Sequence, residues 1–288
     1  MKIPIFTDDA GWHGEQLKQA FVARGIETVF VSLKDCFIDL SGEVPEIGIP
    51  CFRALPKAAF VRGIASGTLQ QITTRLNILH MLKLQGVSVY NDGRAIERTV
   101  DKAMTSFLLH QNGVATPQTW VCESRHQAHD IVNQRGQLVI KPLFGSQGQG
   151  VRLVDKAQPP VPMEAFVDGV YYLQRFIEAP HDYRVFVVNN LVVAAMKRTG
   201  ADWLHNVAQG AQCRSINIIK GDEADVLAIA QQAASVLDIS YCGVDVIRDE
   251  NGKVWVLEVN SIPAWQGLQS VSSTNIAEVL VGDFLSRI

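Results

Sequence analysis

Residues 241–260 read YCGVDVIRDENGKVWVLEVN, and the pairing they impose decides how the rest of the chain is understood. Asn251-Gly252 lies between two alternating apolar runs, the strongest short-range signal for a β-hairpin. With those two residues as the turn, Glu250 pairs with Lys253, and counting outward sets Asp245 opposite Glu258 and Gly243 opposite Asn260. Side chains alternate along a strand, so Asp245, Glu258 and Asn260 share one face, while Val244, Val246, Leu257 and Val259 take the other, toward a core. Directly opposed residues have Cβ atoms about 5 Å apart, and like charges there repel. Two carboxylates and an amide oxygen on one patch call for a cation, and an all-oxygen set suits Mg²⁺ or Mn²⁺ rather than zinc. Gly243 would leave room for the ion and its phosphate ligands. The plainer alternative is a solvated acidic pair.

Upstream, the run from Lys141-Pro142 through Gly145-Ser146-Gln147-Gly148-Gln149-Gly150 joins two strand-like stretches, 138–141 and 151–154. Glycines let backbone N–H groups approach an anion. Walker A is excluded, because Gly150 is followed by Val151-Arg152 rather than Lys-Ser/Thr, and the dinucleotide fingerprint is excluded because a strand, not a helix, follows. Two readings remain: a flexible flap covering a triphosphate with Lys141 at its base, or a glycine hairpin without a ligand. Lys102, Lys141, the flap and the carboxylate hairpin together describe an ATP site.

Outward from these motifs the chain divides into three stretches. Residues 1–97 alternate strand and helix signals, which implies an α/β unit; Thr68-Leu69-Gln70-Gln71 fits a capping box opening a helix with the stripe Leu69, Ile72, Leu76, Leu79 and Leu82, ending at Gly86. The Pro- and Gly-rich run 42–56 reads as a long connection. Residues 98–177 carry a helix over about 99–111, a strand at 119–122, a helix capped by Ser124, and the flap. Residues 178–288 are strand-rich, with Asn189-Asn190 a hairpin turn, a helix over about 223–237 and a final helix after Thr274.

The 288 residues carry 26 Lys and Arg against 29 Asp and Glu, a net charge of -3, which gives no electrostatic reason to expect nucleic acid or an anionic membrane as partner. No apolar run approaches the roughly 18 residues of a membrane span, and Asp8 and Asp9 interrupt any signal-peptide pattern. Five scattered cysteines without a C-x-x-C pair argue against disulfides and zinc and for a cytoplasmic location.

With these residues quoted, the chain resembles the ATP-grasp superfamily, and within it the ribosomal-protein-modification type of α-L-glutamate ligases. The likeness is carried by Asp101-Lys102, Lys141 to Gly150, Gln174-Arg175-Phe176-Ile177, Asp182-Tyr183-Arg184, Asn206, Gly243-Val244-Asp245 and Glu258-Val259-Asn260-Ser261. It implies an ATP-grasp fold of mixed α/β (α+β) class with a leading pre-ATP-grasp domain. It also implies an ATP-dependent ligase that adds L-glutamate to an acceptor carboxylate through an acyl phosphate, with two ions of Mg²⁺ or Mn²⁺ and a homodimer or homotetramer. Carried over by position, Lys102, Lys141 and Asn206 would contact the triphosphate, and residues Gly145 to Gly150 would cover it. Gln174, Arg175, Phe176 and Ile177 would bind adenine through the backbone, and Asp182 would hold the ribose. Arg184 would lie near the transferred group, and Asp245, Glu258 and Asn260 would ligate metal. Arg184 and Arg198 are candidates to stabilise the tetrahedral oxyanion; for Arg198 a surface salt bridge is an equal alternative. Trp203 and Trp265 either wall the acceptor or pack in the core, and Arg62-Gly63 lies where the first unit would reach the acceptor.

Departures gather on the acceptor side: Arg175 where the family has an acidic residue, Leu204 and His205 before Asn206, Gln209-Gly210-Ala211, and Ser261-Ile262-Pro263-Ala264-Trp265. The longer run Asn260 to Gln269, Asn-Ser-Ile-Pro-Ala-Trp-x-Gly-Leu-Gln, resembles a branch acting in one-carbon cofactor biosynthesis of the tetrahydromethanopterin or methanofuran type. They keep open another amino-acid or dipeptide ligase, a carboxylase, or a nucleotide-binding regulatory protein without catalysis.

Overall fold

The computed structural model describes the chain except residues 146–149, 158–168, 201–202, 204–210 and 220. The leading stretch forms β1 (Lys2–Phe6), α1 (Gly11–Val22), β2 (Glu27–Val31), β3 (Phe37–Asp39), β4 (Glu46–Gly48), β5 (Ala58–Val61), α2 (Leu69–Leu84) and β6 (Ser88–Tyr90). Strands β2, β1, β5 and β6 make a parallel sheet in that order. Thr68 caps α2 with the reciprocal Gln71 bond expected of the capping box. The buried face of α2 is Arg75, Ile78, Leu79 and Leu82, and Leu69 stands 81% exposed. The apolar stripe is turned from its expected position because Arg75 points inward, donating to the carbonyls of Ala65 and Ser66 in the loop ahead of the helix. The connection expected over 42–56 holds β4, half of an antiparallel hairpin with β3.

Next come α3 (Gly93–Val100), α4 (Lys102–Gln111), β7 (Thr119–Cys122), α5 (Arg125–Arg135), β8 (Leu138–Lys141), β9 (Arg152–Val154) and β10 (Tyr171–Arg175). The helix expected over 99–111 is two helices. Asp101 ends the first and caps the second, its carboxylate accepting from Ala103 and Met104 N–H. This break sets Lys102 in the first turn of α4. Strands β7, β10, β8 and β9 form a small antiparallel sheet with its own core, Ala128 and Val132 of α5 packing on Leu138, Ile140 and Leu173.

The last stretch contributes β11 (Asp182–Val188), β12 (Leu191–Thr199), β13 (Gln212–Ser215), α6 (Ala224–Leu237), β14 (Tyr241–Arg248), β15 (Val254–Asn260), α7 (Gln266–Gln269) and α8 (Ile276–Leu285). Its antiparallel sheet runs β13-β12-β11-β14-β15. Asn189 and Asn190 take left-handed φ of 49° and 59°, the conformation a two-residue hairpin turn requires. One face of this sheet packs on α6 through Val185, Val187, Val244, Val246 and Val259. The other packs on the leading unit: Phe186, Val188, Met196, Tyr241 and Trp265 share a core with Ile3, Ile5, Phe21 and Phe60, and Phe284 of α8 closes it. Asn91, fully buried, staples the two units. Its amide nitrogen donates to Tyr241 O and Ser261 O, and its oxygen accepts from Ser240 and Tyr241 N–H, so a single side chain fixes both ends of the carboxylate hairpin to the leading sheet.

That hairpin has the expected pairing at its functional end, Gly243 opposite Asn260 and Asp245 opposite Glu258. It arrives there by a different route. Asp249 N–H bonds Lys253 O, so the tip is the three residues Glu250, Asn251 and Gly252, with Gly252 at φ +80°. A bulge between Asp245 and Val246 then restores the register, because Leu257 is the extra residue on β15 between the pairs Val246–Val256 and Asp245–Glu258. In consequence Val256 and Val259 enter the core and Leu257, expected there, instead lines a recess beside Glu258.

Candidate active site

Four charges are arrayed across the last sheet. Arg198 on β12 makes a two-pronged pair with Asp182 on β11, Nε–Oδ1 2.6 Å and Nη2–Oδ2 2.8 Å, and its Nη2 also reaches Asp245 Oδ1 at 2.9 Å. Arg184 on β11 grips Asp245 on β14 in the same way, at 2.6 and 2.8 Å. Adjacent antiparallel strands set these partners opposite one another: Asp182 faces Arg198, and Arg184 faces Asp245. Burial pushes the Asp245 carboxyl upward, but Arg184 and Arg198 override it and hold it below the usual carboxylate range. Burial would likewise strip the Arg198 charge, and Asp245 and Asp182 outweigh it, leaving the guanidinium more basic than usual.

This arrangement corrects four expectations. The Asp245–Glu258 repulsion does not stand unrelieved, since two arginines neutralise Asp245. Arg198 is 6% exposed, so it is no surface ion pair, and its Nε and Nη2 donors are committed to carboxylates. The space beside Gly243 belongs to protein: a Cβ there would come within 2.8 Å of Pro263 and 3.1 Å of Arg184 Nη1. Asp182, expected at a ribose, has both oxygens on Arg198. The Glu258 side chain, by contrast, makes no hydrogen bond or ion pair with a described residue. It lines a recess with Lys102, Thr105, Ser106, Tyr172 and Leu257, so the two subdomains meet at this carboxylate.

The flap side holds the lysines. Lys102 Nζ donates to the carbonyls of Leu143 and Gly145 at 3.2 and 3.1 Å, which ties α4 to the base of the glycine loop. Gly150 closes the loop at φ +74°, and a Cβ there would strike Pro142 at 2.8 Å. Ser146, Gln147 and Gly148 lie outside the described residues, as does Asn206. Lys141 Nζ donates to Gln174 Oε1 at 2.7 Å. The Gln174 amide nitrogen donates in turn to Tyr172 Oη and Thr119 Oγ1, and Tyr172 Oη lies 2.7 Å from Ser106 Oγ. Burial pushes the Lys141 ammonium down to about 8; Glu258 and Asp245 oppose the shift, and Lys102 adds to it. The lysine at the flap's root thus feels the carboxylate hairpin across the cleft.

Sequence reasoning assigned Gln174 a backbone role in binding adenine, whereas its side chain anchors Lys141. Nothing in local spacing signals this, because the partners are brought together by the pairing of β10 with β7 and β8. The N–H groups of Arg175 and Phe176 bond Gln118 O and Gln137 O, and Ile177 follows them beyond the end of β10. Phe176 lies edge-on to Trp203, ring centroids 5.8 Å apart. Trp265 is core-packed at 1% exposure. Among the described residues no cluster of three His, Cys, Asp or Glu side chains forms a metal site, and no helix is long and apolar enough to cross a membrane.

A small antiparallel sheet from which the glycine loop departs at Lys141, a larger sheet whose edge hairpin carries Glu258 and Asn260, and Lys102 and Glu258 lining one recess together make the architecture of an ATP-grasp ligase. The solved structure of the ATP-grasp ligase PsnB with a minimal precursor is similar over 99% of this chain and 99% of that one, with a TM-score of 0.75 at 18% identity. A RimK-domain ATP-grasp protein from Sphaerobacter thermophilus is similar over 99% and 100%, with a TM-score of 0.70 at 21% identity. Residues 99–283 match the RimK-like ATP-grasp domain, and the chain belongs to that family of ligases, which use ATP and magnesium. Among curated relatives, the tetrahydromethanopterin:α-L-glutamate ligase of Methanococcus maripaludis is 30% identical over 99% of this chain and 98% of its own length. A probable α-L-glutamate ligase of Vibrio vulnificus is 31% identical over 97% and 94%.

Proposed function

We propose that the enzyme joins the amino group of L-glutamate to a carboxylate of an acceptor, with ATP cleaved to ADP and phosphate. The observation that carries this is the convergence of Lys102 and Glu258, from opposite sides of the cleft, on one recess, with Lys141 electrostatically coupled to both. The acceptor carboxylate attacks the γ-phosphorus and the bond to ADP breaks, leaving an acyl phosphate. The amine then attacks the acyl carbon, loses a proton and displaces phosphate. Lys102 and Lys141 hold the triphosphate, and the flap from Gly145 to Gly150 excludes water that would hydrolyse the acyl phosphate. Ile177 supplies a backbone contact to adenine. Arg184, whose Nε and Nη2 grip Asp245, turns its remaining Nη1 toward the transferred group. Arg198 acts through Asp245 and Asp182 as a positioning residue.

The donor set suits magnesium: Glu258 is unpaired among described residues, Asn260 lies two residues along on the same strand face, and Asp245 is opposite. Glu258 and Asn260 would hold two ions of it, Asp245 standing opposite with both oxygens already on Arg184 and Arg198, and bound magnesium would neutralise charge on the phosphate oxygens. L-glutamate and a tetrahydromethanopterin-type acceptor are favoured by the names of the relatives and by the run Asn260 to Gln269. The test is ADP release from Mg-ATP with each amino acid, with and without a deproteinised extract, Glu258→Gln serving as blank. Release that needs both glutamate and extract supports the reading, and the product's mass names the acceptor. Release with another amino acid replaces the substrate, and binding of ATP without release favours a regulatory protein. Light scattering of the same preparation distinguishes monomer from homodimer or homotetramer.

A further inference from the structure

Only two buried side-chain nitrogen or oxygen atoms lack a hydrogen-bond partner among the described residues: Arg62 Nε and Trp265 Nε1. They belong to residues in contact, for the Arg62 guanidinium carbon lies 5.1 Å from the centre of the Trp265 ring. Arg62 directly follows β5 of the leading sheet, and Trp265 follows β15, so the pair spans the junction of the two units. The guanidinium has one long bond, Nη1 to Ile262 O at 3.5 Å, and no ion pair with a described residue.

The titratable groups that face Arg62, Tyr241 and His13, are already engaged. The Tyr241 hydroxyl donates to Val61 O. His13 Nε2 accepts from the backbone N–H groups of Trp265 and Gln266, which requires an uncharged ring nitrogen; burial and the Arg62 charge push its pKa down to about 4. Neither supplies a counter-charge.

Guanidinium and indole are donors only. Two buried donors side by side, one of them cationic, lack acceptor oxygens, and leaving such groups unpaired is costly. A planar anion that takes two parallel N–H bonds is the complement, which is a carboxylate. The place is apt as well. Ile262 is two residues beyond Asn260, about 7 Å of chain, and the site lies past the carboxyl end of a parallel strand.

We propose that Arg62, with Trp265 beneath it, binds a substrate carboxylate other than the one that is phosphorylated, and so fixes the orientation of a dicarboxylate at the domain junction. The assignment to a substrate rests on the ligase reading; the carboxylate site itself does not. Two sources share this chemistry, the acceptor and glutamate, and the experiment separates them.

Purified protein without ATP is titrated calorimetrically with glutarate, with L-glutamate and with uncharged glutaramide. Arg62→Lys and Arg62→Gln are treated alike, after circular dichroism establishes that each is folded. The expected result is binding of at least one dicarboxylate and none of glutaramide. Arg62→Gln should weaken that binding roughly 30-fold or more, and Arg62→Lys less. Binding of glutamate but not glutarate assigns the site to the amino acid, and the reverse assigns it to the acceptor. In turnover, the KM of the assigned substrate should rise while the KM of ATP stays put. The proposal is overturned if wild-type protein binds neither dicarboxylate, or if Arg62→Gln binds as tightly as wild type. Should Arg62→Gln not fold, Arg62→Lys and the glutarate–glutaramide contrast still decide. Because the titration needs no turnover, absence of ADP release would sink the ligase reading and leave this result standing.

Discussion

The charges of β11, β12 and β14 and the charges around the cleft are built on opposite plans. In the first, Asp182, Arg198, Asp245 and Arg184 neutralise one another in series, and the arginine donors are aimed at protein carboxylates. In the second, Glu258 has no described partner, Lys102 rests on loop carbonyls, Lys141 on an amide oxygen, and Arg62 on a single distant carbonyl. A saturated charge holds strands in place. An unsaturated one is available to bind. The difference separates scaffold from site more sharply than residue type does, since both groups contain arginine and carboxylate.

Glu258→Gln tests the open plan most severely. ADP release should fall by roughly 10²- to 10⁴-fold, with the thermal midpoint moving less than about 2 °C. Retained activity would break the comparison at its strongest point. Arg198→Met tests the closed plan. It strands two buried carboxylates, and urea unfolding should show a loss of about 3–5 kcal/mol; unchanged stability with lost turnover would move Arg198 to the cleft side. Gln174→Leu removes the only side-chain acceptor of Lys141 among the described residues. The ATP dissociation constant should rise about tenfold, and an unchanged value in calorimetry would make that network structural. The smallest effect is a pH slope. His13 is lowered from the ordinary 6.5 to about 4, so the unfolded chain binds the proton more readily. Stability from this group is present above pH 6.5 and is lost as pH falls toward 4. The urea midpoint should therefore drop across that window, and His13→Gln should flatten the slope. An identical slope in the variant would show that the junction does not titrate.

The parts legible in sequence were those written in neighbouring residues. The capping box at Thr68, the Asn189-Asn190 turn and the opposition of Asp245 to Glu258 all follow from local spacing. The last holds because two departures offset each other, an extra residue at the tip and a bulge at Leu257. What local spacing does not carry is which strands lie side by side. Arg184 reaches Asp245 only because β11 sits between β12 and β14. Without that knowledge the carboxylate pair seemed to need a cation that two arginines in fact supply, and Gly243 seemed to leave room that Pro263 and Arg184 fill. The Gln174–Lys141 bond and the Arg62–Trp265 stack have the same origin, in pairings distant along the chain.

The core that joins the leading sheet to the last helix also sets a timetable. During synthesis Ile3, Ile5, Phe21 and Phe60 emerge well before the side chains that cover them, Phe186, Tyr241, Trp265 and Phe284. At about 5–20 residues per second, the roughly 200 residues after Tyr90 take on the order of 10–40 s to follow. For that interval the nascent leading unit presents an aromatic face to water or to whatever shields it. A chain released before α8 is made would keep that face open.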